Sequence, residues 1–468
     1  MIIKPFNYHW IWFPSNTLRE HLKAVNALAN SLLALLTGKR EHNFYFCSLS
    51  TGDCLLGLWF CLLVLLGLRH RGDADARLKQ KLVSLYSAED VLLFGSARSA
   101  LYFFLRHLQP ARGDEVVVTG YTCDVVANAV VQSGFKPVYA DIAWDDFSIR
   151  SEAVLGAISP RTRVIIIQHT YGIPANSELF KIAKERGLIV IEDCALSLGV
   201  EGASGEFTGS LGHVSLLSFE HSKTITCGHG GALIVNEISL CGSLASCYAS
   251  EVPGATFSRV LQELFQTGVS GLFYRPRVYP IGKWLLFLLF RCRLFRYSSS
   301  KEEYNGGLPK DYLYGMSKPQ AALLLRQLDR LSSNFDTRQE LGDMYQKLIK
   351  SYDGMCLYNL TPMRNLIRLP ILVGDRVAVK NNLEAVSVEV GLWFTAPLSD
   401  WLTDHDLYQY QVGSCPFAEL IGNHIINLPL DPQLTVQDVE LISDALNQVQ
   451  LPPLPVELRD FLEQQLAF

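Results

Sequence analysis

The chain has 468 residues, 49% of them hydrophobic and only 19% Asp, Glu, Lys or Arg, with a formal net charge of −5. That composition excludes a disordered, collagen-like or coiled-coil chain, because none of these carries so much apolar surface. It also lacks the basic footprint that nucleic-acid binding needs, and the length accommodates two or three domains with a core that requires no staples.

Residues 1–75 read as a hydrophobic N-terminal extension. Met1 to Ser15 holds one lysine, several aromatics and Pro14, without the continuous apolar stretch of a cleaved secretory signal. A helix-like run over Leu22–Leu36 follows, and then an uncharged run from Cys54 to Leu68, closed by Arg69, His70 and Arg71. Fifteen apolar residues fall short of the ~20 that span a bilayer. The eleven cysteines are odd in number and include no Cys-x-x-Cys pair. A reducing, cytoplasmic compartment is therefore expected rather than a disulfide framework or zinc site.

From residue 76 to 240 short apolar runs alternate with helical segments. Strands are predicted over Val91–Phe94, Glu115–Thr119, Pro137–Ala140, Val164–Gln168, Leu188–Glu192, Val214–Phe219 and Gly231–Asn236. Helices are predicted over Arg98–Leu108, Asp124–Ser133 and Ser177–Arg186. Runs of Val, Ile and Leu separated by helices indicate an α/β fold, a parallel sheet covered on both faces. Residues 241–310 interrupt this rhythm with a greasy, basic insertion. The remainder, 311–468, reads as one long helix from Lys318 to about Ser351 followed by a smaller α+β domain.

Three strand ends carry chemistry. Phe94-Gly-Ser-Ala-Arg-Ser-Ala-Leu101 leads from a strand into a helix, and its free N–H groups and helix dipole suit an anion. Leu188-Ile-Val-Ile-Glu-Asp-Cys-Ala195 ends an apolar strand on two acids, placing Asp193 at the carboxyl edge where open α/β sheets bind ligands. Val214-Ser-Leu-Leu-Ser-Phe-Glu-His-Ser-Lys223 delivers Ser218 and Lys223 into a Gly-rich turn. Any one of them is commonplace: Asp193 alone would be a helix cap and Lys223 a solvated loop residue. Together, a phosphate turn, a carboxylate and a lysine are what a pyridoxal phosphate site needs.

With these stations in order, the chain resembles the DegT/DnrJ/EryC1/StrS aminotransferases over about residues 76–450. Gly113-Asp-Glu-Val-Val-Val, Ile158-Ser-Pro-Arg-Thr-Arg163, His169-Thr-Tyr-Gly172, Gly230-Gly-Ala232, Met316-Ser-Lys-Pro-Gln-Ala-Ala322 and Leu428-Pro-Leu-Asp-Pro432 all fall in family order. The resemblance implies a fold-type I enzyme: a mainly parallel seven-stranded sheet with helices on both faces, plus a smaller C-terminal α+β domain. It implies that Lys223 holds pyridoxal 5'-phosphate as a Schiff base and then shuttles the proton. Asp193 would pair with the ring nitrogen, and Arg98, Ser99 and Ser218 would bind the phosphate. A homodimer is implied, with a keto-sugar as substrate and glutamate as amino donor.

Three positions depart from the family. Cys123 stands where an aromatic usually covers the cofactor ring, with Tyr121 nearby as a substitute. Leu196 replaces a Gln, and Leu313-Tyr-Gly315 replaces an Asn-x-Arg that often reaches the neighbouring subunit. Retention of Lys223 argues against the family's dehydratases, which carry His there. A non-catalytic, membrane-associated scaffold of the same fold is the reading these departures leave open.

The insertion adds a feature of its own. From Leu264 to Lys301 there is no acid, while Arg275, Arg277, Lys283, Arg291, Arg293, Arg296 and Lys301 surround Trp284-Leu-Leu-Phe-Leu-Leu-Phe290. An apolar centre flanked by bases suits an anionic membrane surface, and residues 54–68 and 281–297 are the segments expected to meet it. The expected location is the inner face of the cytoplasmic membrane.

Overall fold

The computed structural model describes residues 29–43, 48–68, 72–202, 205–357, 360, 362–394 and 406–460. Met1–Ser15, residues 22–28 and Arg69–Arg71 lie outside them, whereas 29–37 are helical as expected.

The central sheet has seven strands: β1 (Asp90–Phe94), β2 (Glu115–Thr119), β3 (Lys136–Ala140), β4 (Thr162–Gln168), β5 (Ile189–Asp193), β6 (Val214–Ser218) and β7 (Gly231–Val235). Their order is β1-β7-β6-β5-β4-β2-β3. Adjacent pairs among β3, β2, β4, β5 and β6 are parallel, and β7 runs antiparallel to both β6 and β1. Two reversals leave β1 pointing the same way as β5 and β6, so the carboxyl ends of all three share one edge.

The strands are apolar throughout because both faces are covered. Val91 and Leu93 of β1 join one buried cluster while Leu92 and Phe94 join another, and β7 divides the same way, Ala232 and Ile234 against Leu233 and Val235. The period-two alternation of a strand thus feeds two helical layers. Helix α2 (Ala74–Tyr86) forms the first layer together with α11, described below, and α1 (Thr51–Leu65) adds Phe60 and Cys61 to the same cluster. On the other face lie α3 (Ala97–His107) and α4 (Asp124–Gln132), while α5 (Ser151–Ala157) and α6 (Glu178–Glu185) continue the first face further along the sheet, against Ile165, Ile167 and Val190. Helix α2 was not anticipated; its Leu78, Leu82 and Tyr86, one turn apart, are buried.

After β7 come α7 (Ile238–Glu251), α8 (Phe257–Phe273), α9 (Tyr279–Arg291) and the single turn α10 (Lys301–Tyr304). Helix α7 runs across the boundary expected at 240/241 and buries Leu244 in the large core. The insertion is folded onto its own chain. Trp284 donates to the Ser31 hydroxyl at 3.0 Å, and its bases are not all uncompensated as the local sequence suggested: Lys283 pairs with Glu41 at 2.6 Å and Arg296 with Asp311 at 3.8 Å. Acids distant in sequence supply the counter-charge.

The expected single helix from Lys318 is two, α11 (Lys318–Leu328) and α12 (Leu331–Leu348). The break at Asp329–Arg330 is where the apolar direction changes. Leu323, Leu324 and Leu328 face the large sheet, whereas Phe335, Leu341 and Tyr345 are buried beyond the break, the last two in the core of the C-terminal domain. That domain contains a three-stranded antiparallel sheet, β8 (Met355–Leu357), β9 (Arg368–Val373) and β10 (Ile425–Pro429), with β9 in the middle. Helices α13 (Arg376–Ala385), α14 (Pro416–His424) and α15 (Val436–Gln448) complete it.

Candidate active site

The site is built at the edge shared by the carboxyl ends of β1, β5 and β6. At the first, Ser96 caps α3, accepting the Ser99 N–H at 3.2 Å, while the Ser99 hydroxyl donates to the Ser96 carbonyl at 2.8 Å. Ser99 is thus turned into its own helix. The N–H groups of Ala97 and Arg98 are left without hydrogen bonds among the described residues, aimed out of a positive helix end. Gly231 makes this turn fit, because a Cβ there would stand 2.2 Å from the Ala97 nitrogen.

The Arg98 side chain is engaged elsewhere. It donates to the Ser299 hydroxyl at 2.7 Å and to the Ser298 carbonyl, and it pairs with Glu303 at 3.2 Å. The exit of the insertion therefore closes over the phosphate turn in the same chain.

At the end of β5, Asp193 is buried and accepts the Ala195 N–H at 3.0 Å. Burial raises its carboxyl above the ordinary range; the Ala195 N–H and the charge of Lys223 oppose that shift. Its neighbour Glu192 holds the strand end. It accepts from the N–H groups of Gly209, Leu211 and Gly212 at 2.8, 2.7 and 2.6 Å and from His169 Nε2 at 2.9 Å. His169 Nδ1 accepts the Ala175 N–H at 3.0 Å, so its ring proton is on Nε2. Cys194 lies close enough to complete a metal-like trio with these two. Glu192 is already filled by four N–H donors, which makes the group a structural clamp.

Beyond β6, Ser218 is buried with no hydrogen bond to its hydroxyl among the described residues. Lys223 is half-buried, and its ammonium has no hydrogen bond or ion pair among them either. Its charge acts on Asp193, Cys123 and Glu220. The turn that carries it is pinned by long-range partners. Gln327 grips both the N–H and carbonyl of Thr226, Gln320 donates to the His229 carbonyl at 2.7 Å, and Thr267 of α8 donates to the Cys227 carbonyl at 3.1 Å.

Cys123 is exposed at the start of α4, within range of Lys223. Tyr121 does not take the ring-covering place. It is fully buried, hydrogen-bonded to the Tyr171 hydroxyl at 2.8 Å and stacked on Phe147. Leu313 packs into its own core, and Tyr314 lies over Gly95 and donates to Glu263 at 2.8 Å. The segment that family members often extend to a neighbour therefore contacts this chain's own phosphate turn. Sequence reading missed Glu220, Glu263, Glu303 and the edge-to-face pair of half-buried His221 and buried His229. Two of them, Glu263 and Glu303, come from the insertion, and no local spacing links them to Lys223.

An unpartnered lysine, a buried carboxylate, a free hydroxyl and two unpaired N–H groups at one sheet edge match a ligand with a carbonyl, a ring nitrogen and a phosphate. This donor set defines a pyridoxal phosphate enzyme of fold type I.

The chain matches the DegT/DnrJ/EryC1/StrS aminotransferase family over residues 67–254 and 288–447, and it belongs to that family. It is a pyridoxal-phosphate-dependent sugar aminotransferase. It is 24% identical over 417 residues to the GDP-perosamine synthase of Escherichia coli O157:H7, covering 88% of this chain and 96% of that protein. The Helicobacter pylori aminotransferase PseC, involved in pseudaminic acid biosynthesis, superposes with a TM-score of 0.66 at 19% identity, covering 87% and 98% of the two chains. The protein Spr1654 of Streptococcus pneumoniae, in its PMP form, gives 0.66 at 19% identity and covers 86% and 98%. The family match omits residues 255–287, which are α8 and most of α9.

Proposed function

We propose that the protein moves an amino group from glutamate onto a keto-sugar carried on a nucleotide or a lipid, in the assembly of a surface polysaccharide or glycolipid. The observation that carries this reading is the convergence of Lys223, Asp193 and Ser218 with the open start of α3 at one sheet edge.

Lys223 is the attachment point for the cofactor, and its freedom from ion pairs leaves the amine available for that bond and for carrying a proton afterwards. Asp193, fixed by the Glu192 and His169 clamp, holds a proton on the ring nitrogen. The Ala97 and Arg98 N–H groups and the Ser218 hydroxyl seat the phosphate, while Arg98 anchors Ser298, Ser299 and Glu303 above it. Bound pyridoxal phosphate supplies the electron sink for the carbon that loses its proton. Cys123, smaller than the aromatic usual in the family, would leave more room beside a bound cofactor.

The working unit is a homodimer, with the large domain at 76–240 and the small one within 311–468. No helix among the described residues is long and apolar enough to cross a membrane. The protein instead associates peripherally with an anionic leaflet on the cytoplasmic side, a reading supported by exposed leucines and by Arg275, which has no acidic partner among the described residues.

The test is to incubate holoenzyme with glutamate and a panel of nucleotide- and lipid-linked keto-sugars. The expected result is 2-oxoglutarate formed in step with an amino-sugar product detected by mass. Turnover with no glutamate consumed would replace the donor, and product from none of the sugars would sink the substrate class.

A further inference from the structure

Helix α1 is apolar on both of its faces. The inner face buries Cys54, Gly57, Phe60 and Cys61. It lies close against α8, where Gly268 and Gly271 leave no room for a Cβ: one would stand 2.7 Å from Leu58 Cγ, the other 2.6 Å from Cys54 Sγ. The outer face carries Leu55, Trp59, Leu62 and Leu66, which are 56%, 54%, 44% and 64% exposed. Their spacing of four, three and four residues is one continuous helical stripe. A helix side turned to water ordinarily carries polar residues, yet none of the residues from Cys54 to Leu68 is charged.

The ends of the stripe are basic. At the start, Arg275 donates to the Thr51 hydroxyl at 2.7 Å and has no acidic partner among the described residues. Past the other end the chain reads Arg69-His70-Arg71. Helix α1 is also tied down along the surface rather than free to insert. Asp53 at its first turn is fully buried and held by Arg326 at 3.2 Å and by Arg330. Burial opposes ionisation of Asp53, but hydrogen bonds from Arg330 and Ser50 outweigh it and keep the carboxyl below its ordinary range.

We infer that the outer face of α1 seats in the boundary between headgroups and acyl chains of an anionic bilayer, with the helix axis in the membrane plane. A 15-residue helix pinned at Asp53 can lie at that depth and cannot span. The flanking cations choose the occupant. A second copy would bring the same cations to the face, and the exposed stripe itself carries no acid to meet them, whereas anionic headgroups neutralise them. The inference rests on the membrane association proposed above and narrows it to the first of the two segments expected to meet the membrane. Trp284, expected at the membrane, is half-buried against Ser31, and the exposed stripe belongs to α1. Both α1 and α8 lie outside the stretches matched by the family, so the two segments make one added layer.

The test uses full-length holoprotein sedimented with vesicles of phosphatidylcholine, alone or with about 30 mol% phosphatidylglycerol. The wild type is expected to pellet with the anionic vesicles, and the triple variant Leu55→Glu, Trp59→Glu, Leu62→Glu to bind roughly tenfold more weakly or worse. All three side chains are exposed, so the variant should keep the wild-type spectral response to glutamate. Wild type that stays in the supernatant overturns the inference, as does a triple variant that binds as tightly. A variant that falls from dimer to monomer while wild type ignores vesicles assigns the face to a second copy. If vesicle binding is lost in the variant but the protein never responds to an amino donor, docking stands and the aminotransferase reading fails.

Discussion

Lys223 and Asp193 owe their chemistry to opposite treatments of charge. Lys223 is left without a partner among the described residues, while Asp193 is buried yet faced by that lysine and by His169. Neither was legible alone: Asp193 ends an apolar strand and Lys223 lies five residues past another, and their order with the phosphate turn, together with the family resemblance, singled them out. Glu263 was not legible. It lies inside α8 and meets Tyr314 and Gln320 only in the folded chain, at 2.8 and 3.0 Å. Burial pushes its carboxyl up to about 7, against the Tyr314 hydrogen bond and the charges of Arg259 and Arg296. The folded state therefore keeps this proton longer than the unfolded chain, whose carboxyl titrates near 4.5. Stability from this group falls as pH rises from that value through about 7, by on the order of 2–3 kcal/mol. Glu263→Gln removes the titration. Its melting temperature should drop less than that of the wild type between about pH 5 and about pH 8, and equal drops would contradict the assignment.

Among the elements, the seven strands were read to within two residues because apolar runs buried on both faces leave little ambiguity about their extent. The misreadings have separate causes. Helix α2 carries a stripe interrupted by lysines, which looks like a solvated segment until Leu78, Leu82 and Tyr86 find the sheet. The break between α11 and α12 cannot be seen in a stripe that simply continues while its burial partners change. Strand β8 has only three residues. The contact between α1 and α8 makes a prediction at this scale. Gly268→Ala places a Cβ 2.7 Å from Leu58 and 3.0 Å from the Cys54 carbonyl, so it should cost about 1–3 kcal/mol and lower the melting temperature by several degrees. Gly156→Ala in α5 meets nothing within 4 Å and should be neutral or mildly stabilising. Thermal melts of the two variants side by side check this; a neutral Gly268→Ala would mean that the helices do not approach as described.

Across the whole molecule, the apolar excess in the composition divides into two uses. Most of it fills the two layers around the sheet, and the rest forms the added layer of α1, α8 and α9 with its outward leucines. That layer is joined to the chemistry: Thr267 of α8 holds the turn after Lys223, and the exit of the insertion clasps Arg98. The account stands or falls on whether this chain performs amino transfer at Lys223. The direct measurement is the visible spectrum of purified protein, with pyridoxal phosphate supplied, before and after glutamate, for wild type and Lys223→Ala. The wild type should show a visible cofactor band that glutamate removes, and Lys223→Ala should lack both the band and the response. A protein that takes up no cofactor, or a Lys223→Ala variant that behaves like the wild type, would contradict the account.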